Sequence, residues 1–138
     1  MGKRKWIILG SIGLVVCLLF GLIRDQHEQD TVEYCYQINE IVKDLDFYTA
    51  KVTENGIELY DRNFDELEIV SFDGYKRNIR IMAIHKDGGL IYFILIGNVD
   101  DESGIMFVND GTDGMMNGIH SLDRIGGNSY YYDTSQSP

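Results

Sequence analysis

Asn78-Ile79-Arg80-Ile81-Met82-Ala83-Ile84-His85-Lys86-Asp87-Gly88-Gly89-Leu90-Ile91-Tyr92-Phe93-Ile94-Leu95-Ile96-Gly97 is the stretch whose reading decides the fold. Two arms rich in β-branched and aromatic residues flank Asp87-Gly88, a dipeptide suited to the positive φ angles of a tight hairpin turn. A turn at Asp87-Gly88 places Ala83 opposite Tyr92, Ile81 opposite Ile94 and Ile79 opposite Ile96 on one face. The other face then pairs Ile84 with Ile91, Met82 with Phe93 and Arg80 with Leu95, and His85 falls beside Leu90 at the sheet end. Both faces are largely apolar, so these two strands are expected at the centre of a sheet covered on both sides.

Toward the N-terminus, Asn55-Gly56 is a second two-residue hairpin signal. It predicts Val52 against Leu59 and Glu54 against Ile57 on one face, with Thr53 against Glu58 and Lys51 against Tyr60 on the other. Phe64 to Phe72 predicts a further strand, with Leu67 and Ile69 on one face and Val70 and Phe72 on the other. Ahead of these strands, Cys35, Ile38, Ile41, Val42 and Leu45 recur at helical spacing, and Asp30 with Glu33 matches a capping box. That predicts one amphipathic helix over 31–46, with Cys35 on its packed stripe.

Toward the C-terminus, Ile105 to Val108 predicts a short strand. Ile119, Leu122 and Ile125, spaced by three and followed by Gly126-Gly127, predict a single helical turn that includes His120. Tyr130-Tyr131-Tyr132 reads as a last strand with Tyr130 and Tyr132 sharing a face; packing on the sheet is the simpler role, and partner binding the other. The expected fold class is α+β: an amphipathic helix on an antiparallel sheet, in one domain over 31–133 with a polar tail over 134–138. That order also resembles cystatin-like and related small extracytoplasmic folds, which implies an arrangement and no function.

From Trp6 to Ile23 the chain carries 18 residues without a charge. As a helix rising ~1.5 Å per residue they would span about 27 Å, close to the hydrocarbon core of a bilayer. Lys3, Arg4 and Lys5 precede the run, and positive charge favours the cytoplasmic side. The expectation is a single-pass cell-membrane protein: a cytoplasmic tail over 1–5, a transmembrane helix over 6–23, a polar stalk over 24–30, and the domain outside the cytoplasm. A cleaved signal would be shorter and end on small residues, whereas Gly21-Leu22-Ile23 ends on a large one. A lipoprotein signal would put a small residue before Cys17, where Val16 stands, and myristoylation would need Ser or Thr in place of Trp6. Gly13, Cys17 and Gly21, spaced by four, form a small-residue stripe through which two anchors could pair as a homodimer.

Charge narrows the partners. All 22 acidic residues lie from Arg24 onward against 9 basic ones, a net of −13 for that part of the chain. Such a domain repels phosphate backbones, so nucleic acid is not an expected partner; a protein partner is. Two cysteines, Cys17 and Cys35, would stand on either side of the membrane boundary and form neither a disulfide framework nor a thiolate zinc site.

Chemistry is sparsely signalled. Asp100, Asp101, Asp110 and Asp113 sit in and beside Gly-rich loops, where side-chain oxygens could hold a divalent cation. The EF-hand pattern fails, since twelve positions from Asn109 end at His120 rather than a glutamate. His27, His85 and His120 form no metal-binding spacing, and neither a phosphate loop nor a nucleophile elbow occurs. No catalytic residue and no cofactor are expected. The functional expectation is a membrane-tethered extracytoplasmic interaction module, of accessory or inhibitor/immunity type. The alternative is a small enzyme using the acidic, divalent-cation loop.

Overall fold

The computed structural model describes residues 18–19, 26–97, 101–110, 119 and 121–134. The chain divides into two compact units, residues 1–34 and 35–138. In the first, Leu18 and Leu19 are helical, and so are residues from Gln26 onward. Helix α1 runs over residues 26–42, so it begins before Asp30 and takes in most of the expected stalk. Local bonds explain the early start: Gln26 Nε2 donates to Asp30 Oδ1 at 3.0 Å, and Thr31 Oγ1 donates to the His27 carbonyl at 2.9 Å. Asp30 is therefore a helical residue rather than the cap that the Asp-x-x-Glu pattern suggests. Among the described residues no helix is long and apolar enough to cross a membrane, and the expected anchor over 6–23 lies, apart from Leu18 and Leu19, outside them.

The second unit carries eight strands: β1 (Thr49–Thr53), β2 (Gly56–Tyr60), β3 (Glu66–Val70), β4 (Ala83–Asp87), β5 (Leu90–Gly97), β6 (Glu102–Val108), β7 (Ser121–Gly126) and β8 (Ser129–Asp133). They form one antiparallel sheet in the order β3-β2-β1-β4-β5-β6-β8-β7. β4 and β5 occupy the middle, as their two-faced apolarity requires. The α+β class expected from the sequence is the fold observed: one helix packed on an eight-stranded antiparallel sheet.

Both hairpins form, with registers displaced by two residues from those the turn dipeptides suggest. Val52 pairs with Ile57 and Ala50 with Leu59, closing on Thr53 and Gly56 around Glu54-Asn55. Thr53 Oγ1 stabilises that turn, accepting from the Asn55 N–H and donating to the Gly56 carbonyl, both at 3.2 Å. Gly56 itself is in the strand with φ 131°, and a Cβ there would sit 2.4 Å from the Val70 carbonyl oxygen of β3. Likewise His85 pairs with Tyr92, Ile84 with Phe93 and Asp87 with Leu90, so the second turn is Gly88-Gly89. Only Gly88 of that pair has positive φ, 58°, the pattern of a type II′ turn. Gly89 lies where a Cβ would meet the Asp110 side chain at 2.0 Å. A slip of two leaves the side chains of the paired strands on their expected faces, because strand side chains alternate with a period of two. Residues 78–82, however, expected in the first arm of the second hairpin, precede β4 and belong to no strand.

The helical turn expected at Ile119, Leu122 and Ile125 is strand β7, in which Leu122 pairs with Tyr132 and Arg124 with Tyr130. Gly127, at φ 55°, turns a hairpin rather than ending a helix. β8 is an interior strand between β6 and β7, so the tyrosine run packs on the sheet.

The core lies between α1 and one sheet face. Cys35, Ile38 and Val42 are buried on the helix, and Ala50, Ile57, Leu59, Ile84, Ile91, Phe93, Ile105 and Phe107 are buried on the strands. The registers place Ile84, Phe93 and Ile105 in one cross-strand row and Ile91 with Phe107 in the next. Tyr36 meets the Phe107 ring at 6.4 Å, and Phe93 meets it edge-on at 5.5 Å. Within this apolar layer Asn39 is fully buried, its side-chain amide exchanging two 3.0 Å hydrogen bonds with that of Asn109. Burial pushes the Cys35 thiol up to about 12, which makes it a packing residue.

Candidate interaction surface

The sheet face away from α1 is built differently at its two ends. Toward β8 it carries a second cluster, Tyr92, Met106 and Tyr132, flanked by Leu90, Val108, Ile119 and Tyr130. The hydroxyls of Tyr92 and Tyr132 are buried and find no well-formed hydrogen-bond partner among the described residues. Burial first, then the charges of Asp87 and Glu102, push the Tyr92 hydroxyl up to about 12. Tyr132 is raised by burial and by Glu102, which acts on it as a charge rather than through a well-formed hydrogen bond.

From this cluster a line of rings leads to the opposite edge. Tyr132 meets Tyr92 at 5.3 Å, Tyr92 meets His85 at 6.2 Å, His85 meets Tyr48 at 4.7 Å, and Tyr48 meets Phe64 at 6.2 Å. His85 is thus a sheet residue stacked between tyrosines, not a hairpin-end neighbour of Leu90.

At the β3 edge the apolar surface opens to solvent. Phe64, Leu67 and Ile69 are 70%, 50% and 51% exposed. Leu67 and Ile69 are two apart on β3, and Ile69 lies opposite Glu58, which places the pair on the helix-free face. Phe64 has φ 62°, a conformation a bulky side chain rarely adopts. The loop before β3 holds it there. Asp61 Oδ1 accepts from the N–H groups of Asn63 and Asp65 at 2.9 and 3.0 Å, the Asp61 carbonyl accepts from Phe64 N–H at 3.0 Å, and Asp61 N–H donates to the Asp65 carbonyl at 3.0 Å.

Beside Leu67 is an open cavity of about 370 Å³, bordered by Tyr48, Asp61, Arg62, Lys86 and Asp87. Its cations are engaged in the fold. Lys86 Nζ donates to the carbonyls of Lys43, at 3.1 Å, and Leu45, just beyond the end of α1, and lies 5.5 Å above the Phe47 ring. The Arg62 guanidinium lies 5.7 Å over the Tyr48 ring.

The acidic loop residues are placed as follows. Asp101 immediately precedes β6, and Asp110 lies two residues past its end, against Gly89. A strand of that length separates its ends by about 20 Å, so these two carboxylates do not meet at one ion. Asp100 and Asp113 lie outside the described residues, as do Cys17 and His120. Among the described residues no group of three or more His, Cys, Asp or Glu side chains is arranged to hold a metal. The surface at Phe64, Leu67 and Ile69 went unmarked in the sequence reading, which treated 64–72 as an ordinary strand. Its signal was faint: Asp61-Arg62-Asn63 is turn chemistry that could have moved Phe64 out of the strand.

Compared with models of known protein families, with curated proteins and with solved structures, the chain matches none of them.

Proposed function

We propose that the protein is a membrane-tethered interaction module, anchored in the cell membrane through residues 6–23 with Lys3, Arg4 and Lys5 in the cytoplasm. The acidic domain engages a protein partner on the far side, as an accessory or inhibitor-type component. The observation that carries this reading is the exposed apolar row Phe64, Leu67 and Ile69 at one edge of the sheet. Exposed apolar surface contiguous on one face is what partner sites present before they are covered. Holding a bulky residue in the left-handed region costs about 1–2 kcal/mol, and such strain gathers where a side chain must be presented for contact.

A photoactivatable amino acid placed at Leu67, in the full chain and in the membranes of cells that make it, tests the reading. A discrete protein adduct is expected, reduced when Ile69→Ser is added. Labelling of lipid alone, or no adduct from a correctly folded chain, would remove this function.

A further inference from the structure

We infer that the β3 edge binds its partner by strand addition, and that the segment it accepts is extended, with apolar residues alternating with lysine or arginine. The inference rests on the interaction reading above and specifies its chemistry. β3 closes one side of the sheet, and among the described residues no strand pairs with its outer side. In an antiparallel ladder every second residue of an edge strand turns its N–H and C=O outward, a template for a further strand. Edges that must stay unpaired are blunted by lysine, proline, a bulge or an inward charge. Glu66-Leu67-Glu68-Ile69-Val70 has neither lysine nor proline, and its Leu67 and Ile69 stand half-exposed. The strand does carry a register shift opposite Leu59 and Tyr60 and, at Glu68 opposite the buried Leu59, a charge on the helix side. Both hinder indiscriminate pairing, and a cation on the incoming segment answers the second.

Charge identifies the occupant. Asp65, Glu66 and Glu68 fall within four residues, no cation occurs from Asn63 to Tyr75, and Glu58 stands next to Ile69 on β2. A second copy of β3 would set these carboxylates against their equivalents, and like charges across a strand pair are destabilising. Glu68 lies opposite Leu59 on the helix side and Glu66, across the register shift, opposite Tyr60 on the other face. A segment with a cation beside Glu68 therefore meets that carboxylate while its neighbouring apolar residues cover Leu67 and Ile69. The opposite edge, β7, reads Ser121-Leu122-Asp123-Arg124-Ile125-Gly126, one acid and one cation, and has no such bias. It is an internal control.

The test uses the full chain in nanodiscs and fluorescent heptapeptides in which valine alternates with lysine or with glutamate, read by anisotropy at low salt. The lysine peptide should bind at least tenfold more tightly than the glutamate peptide. Glu66→Lys with Glu68→Lys should invert that preference, and Asp123→Lys should leave it unchanged. N-methylation of alternate peptide amides should weaken binding at least tenfold, because it removes ladder hydrogen bonds and leaves the charges. Equal binding to the reversed variant, or indifference to N-methylation, overturns strand addition. Self-association abolished by Leu67→Lys would show that a second copy occupies the edge, and overturns it too. Both substituted glutamates are exposed, and thermal unfolding checks that each variant is folded. A protein adduct at Leu67 without peptide preference leaves the interaction reading standing and removes this inference. Peptide binding without any adduct in membranes removes the interaction reading, and with it the partner that this inference describes.

Discussion

Phe64 and the two buried tyrosines show how single side chains depart from their easiest states. Phe64 sits at φ 62° because Asp61 binds the backbone around it on both sides. Asparagine tolerates that conformation, so Phe64→Asn should stabilise the chain by about 1 kcal/mol in thermal unfolding. The same change should weaken capture of a partner at Leu67, a trade of stability against contact; an unchanged or lower melting temperature would show that the ring's packing on Tyr48 outweighs its strain. Tyr92 and Tyr132 bury hydroxyls without a well-formed partner among the described residues, which costs about 1–3 kcal/mol per group. Tyr92→Phe and Tyr132→Phe should therefore be neutral or stabilising at pH 7. Titration has a definite sign here. Folding raises the Tyr92 hydroxyl from 10.0 to about 12 and raises Tyr132 as well, so the folded state keeps protons that the unfolded state loses. Their contribution is whole below about pH 10 and is lost as pH rises through the folded values. Cys35, raised from 9.0 to about 12, adds a loss of the same sign that begins lower. Urea unfolding between pH 8 and 12 should show falling stability, with a shallower fall in the double Phe variant.

At the scale of elements, α1 is fastened to the sheet by apolar contact and by one polar pair. Asn39 and Asn109 exchange two hydrogen bonds inside that layer, and Asn128 Nδ2 reaches Asn109 Oδ1 at 3.3 Å. Asn109→Ala should cost about 1–3 kcal/mol in urea unfolding, because it strips the buried Asn39 amide of its partner. Replacing both Asn39 and Asn109 by Leu should recover part of that loss; a double variant as unstable as the sum of the single ones would mean the pair acts through something other than mutual satisfaction. The strands show how much of an element is legible. Alternation identified the faces of β1, β2, β4 and β5, while the hairpin dipeptides misplaced both turns by one residue and so both registers by two. The strand predicted from Ile105 begins at Glu102, and Gly104 sits inside β6 where a Cβ would clash with the Phe93 carbonyl oxygen. A glycine of this kind marks backbone contact rather than a break. In β7 the spacing of Leu122 and Ile125 imitated a helix because a bulge between Arg124 and Gly126 interrupts the alternation.

For the whole molecule, charge and hydropathy make the strongest expectation. Three cations before an uncharged run of 18 residues, and a net of −13 after it, predict export of the domain. A reporter fused after Pro138 should be active only outside the cytoplasm, and the mature chain should keep its N-terminus. Cytoplasmic reporter activity, or a mature N-terminus beyond Ile23, would end the tethered reading. The sheet order has no such sequence signature. β8 inserts between β6 and β7, so consecutive strands β6 and β7 are not neighbours.

What the sequence by itself determined is the class of the fold, the central place of β4 and β5, the burial of Cys35, and the faces to which the side chains of β1, β2, β4 and β5 point. These follow from local periodicity, which a neighbour cannot change without turning apolar side chains to water. Tertiary structure alone decided which residues pair, where the turns fall, the order of the strands and the exposure of the β3 edge. A period of two is satisfied equally by registers two residues apart, so the choice passes to contacts distant in the chain. The Val70 carbonyl against Gly56 and the Asp110 side chain against Gly89 are two of these, and both bring together residues that no local pattern connects.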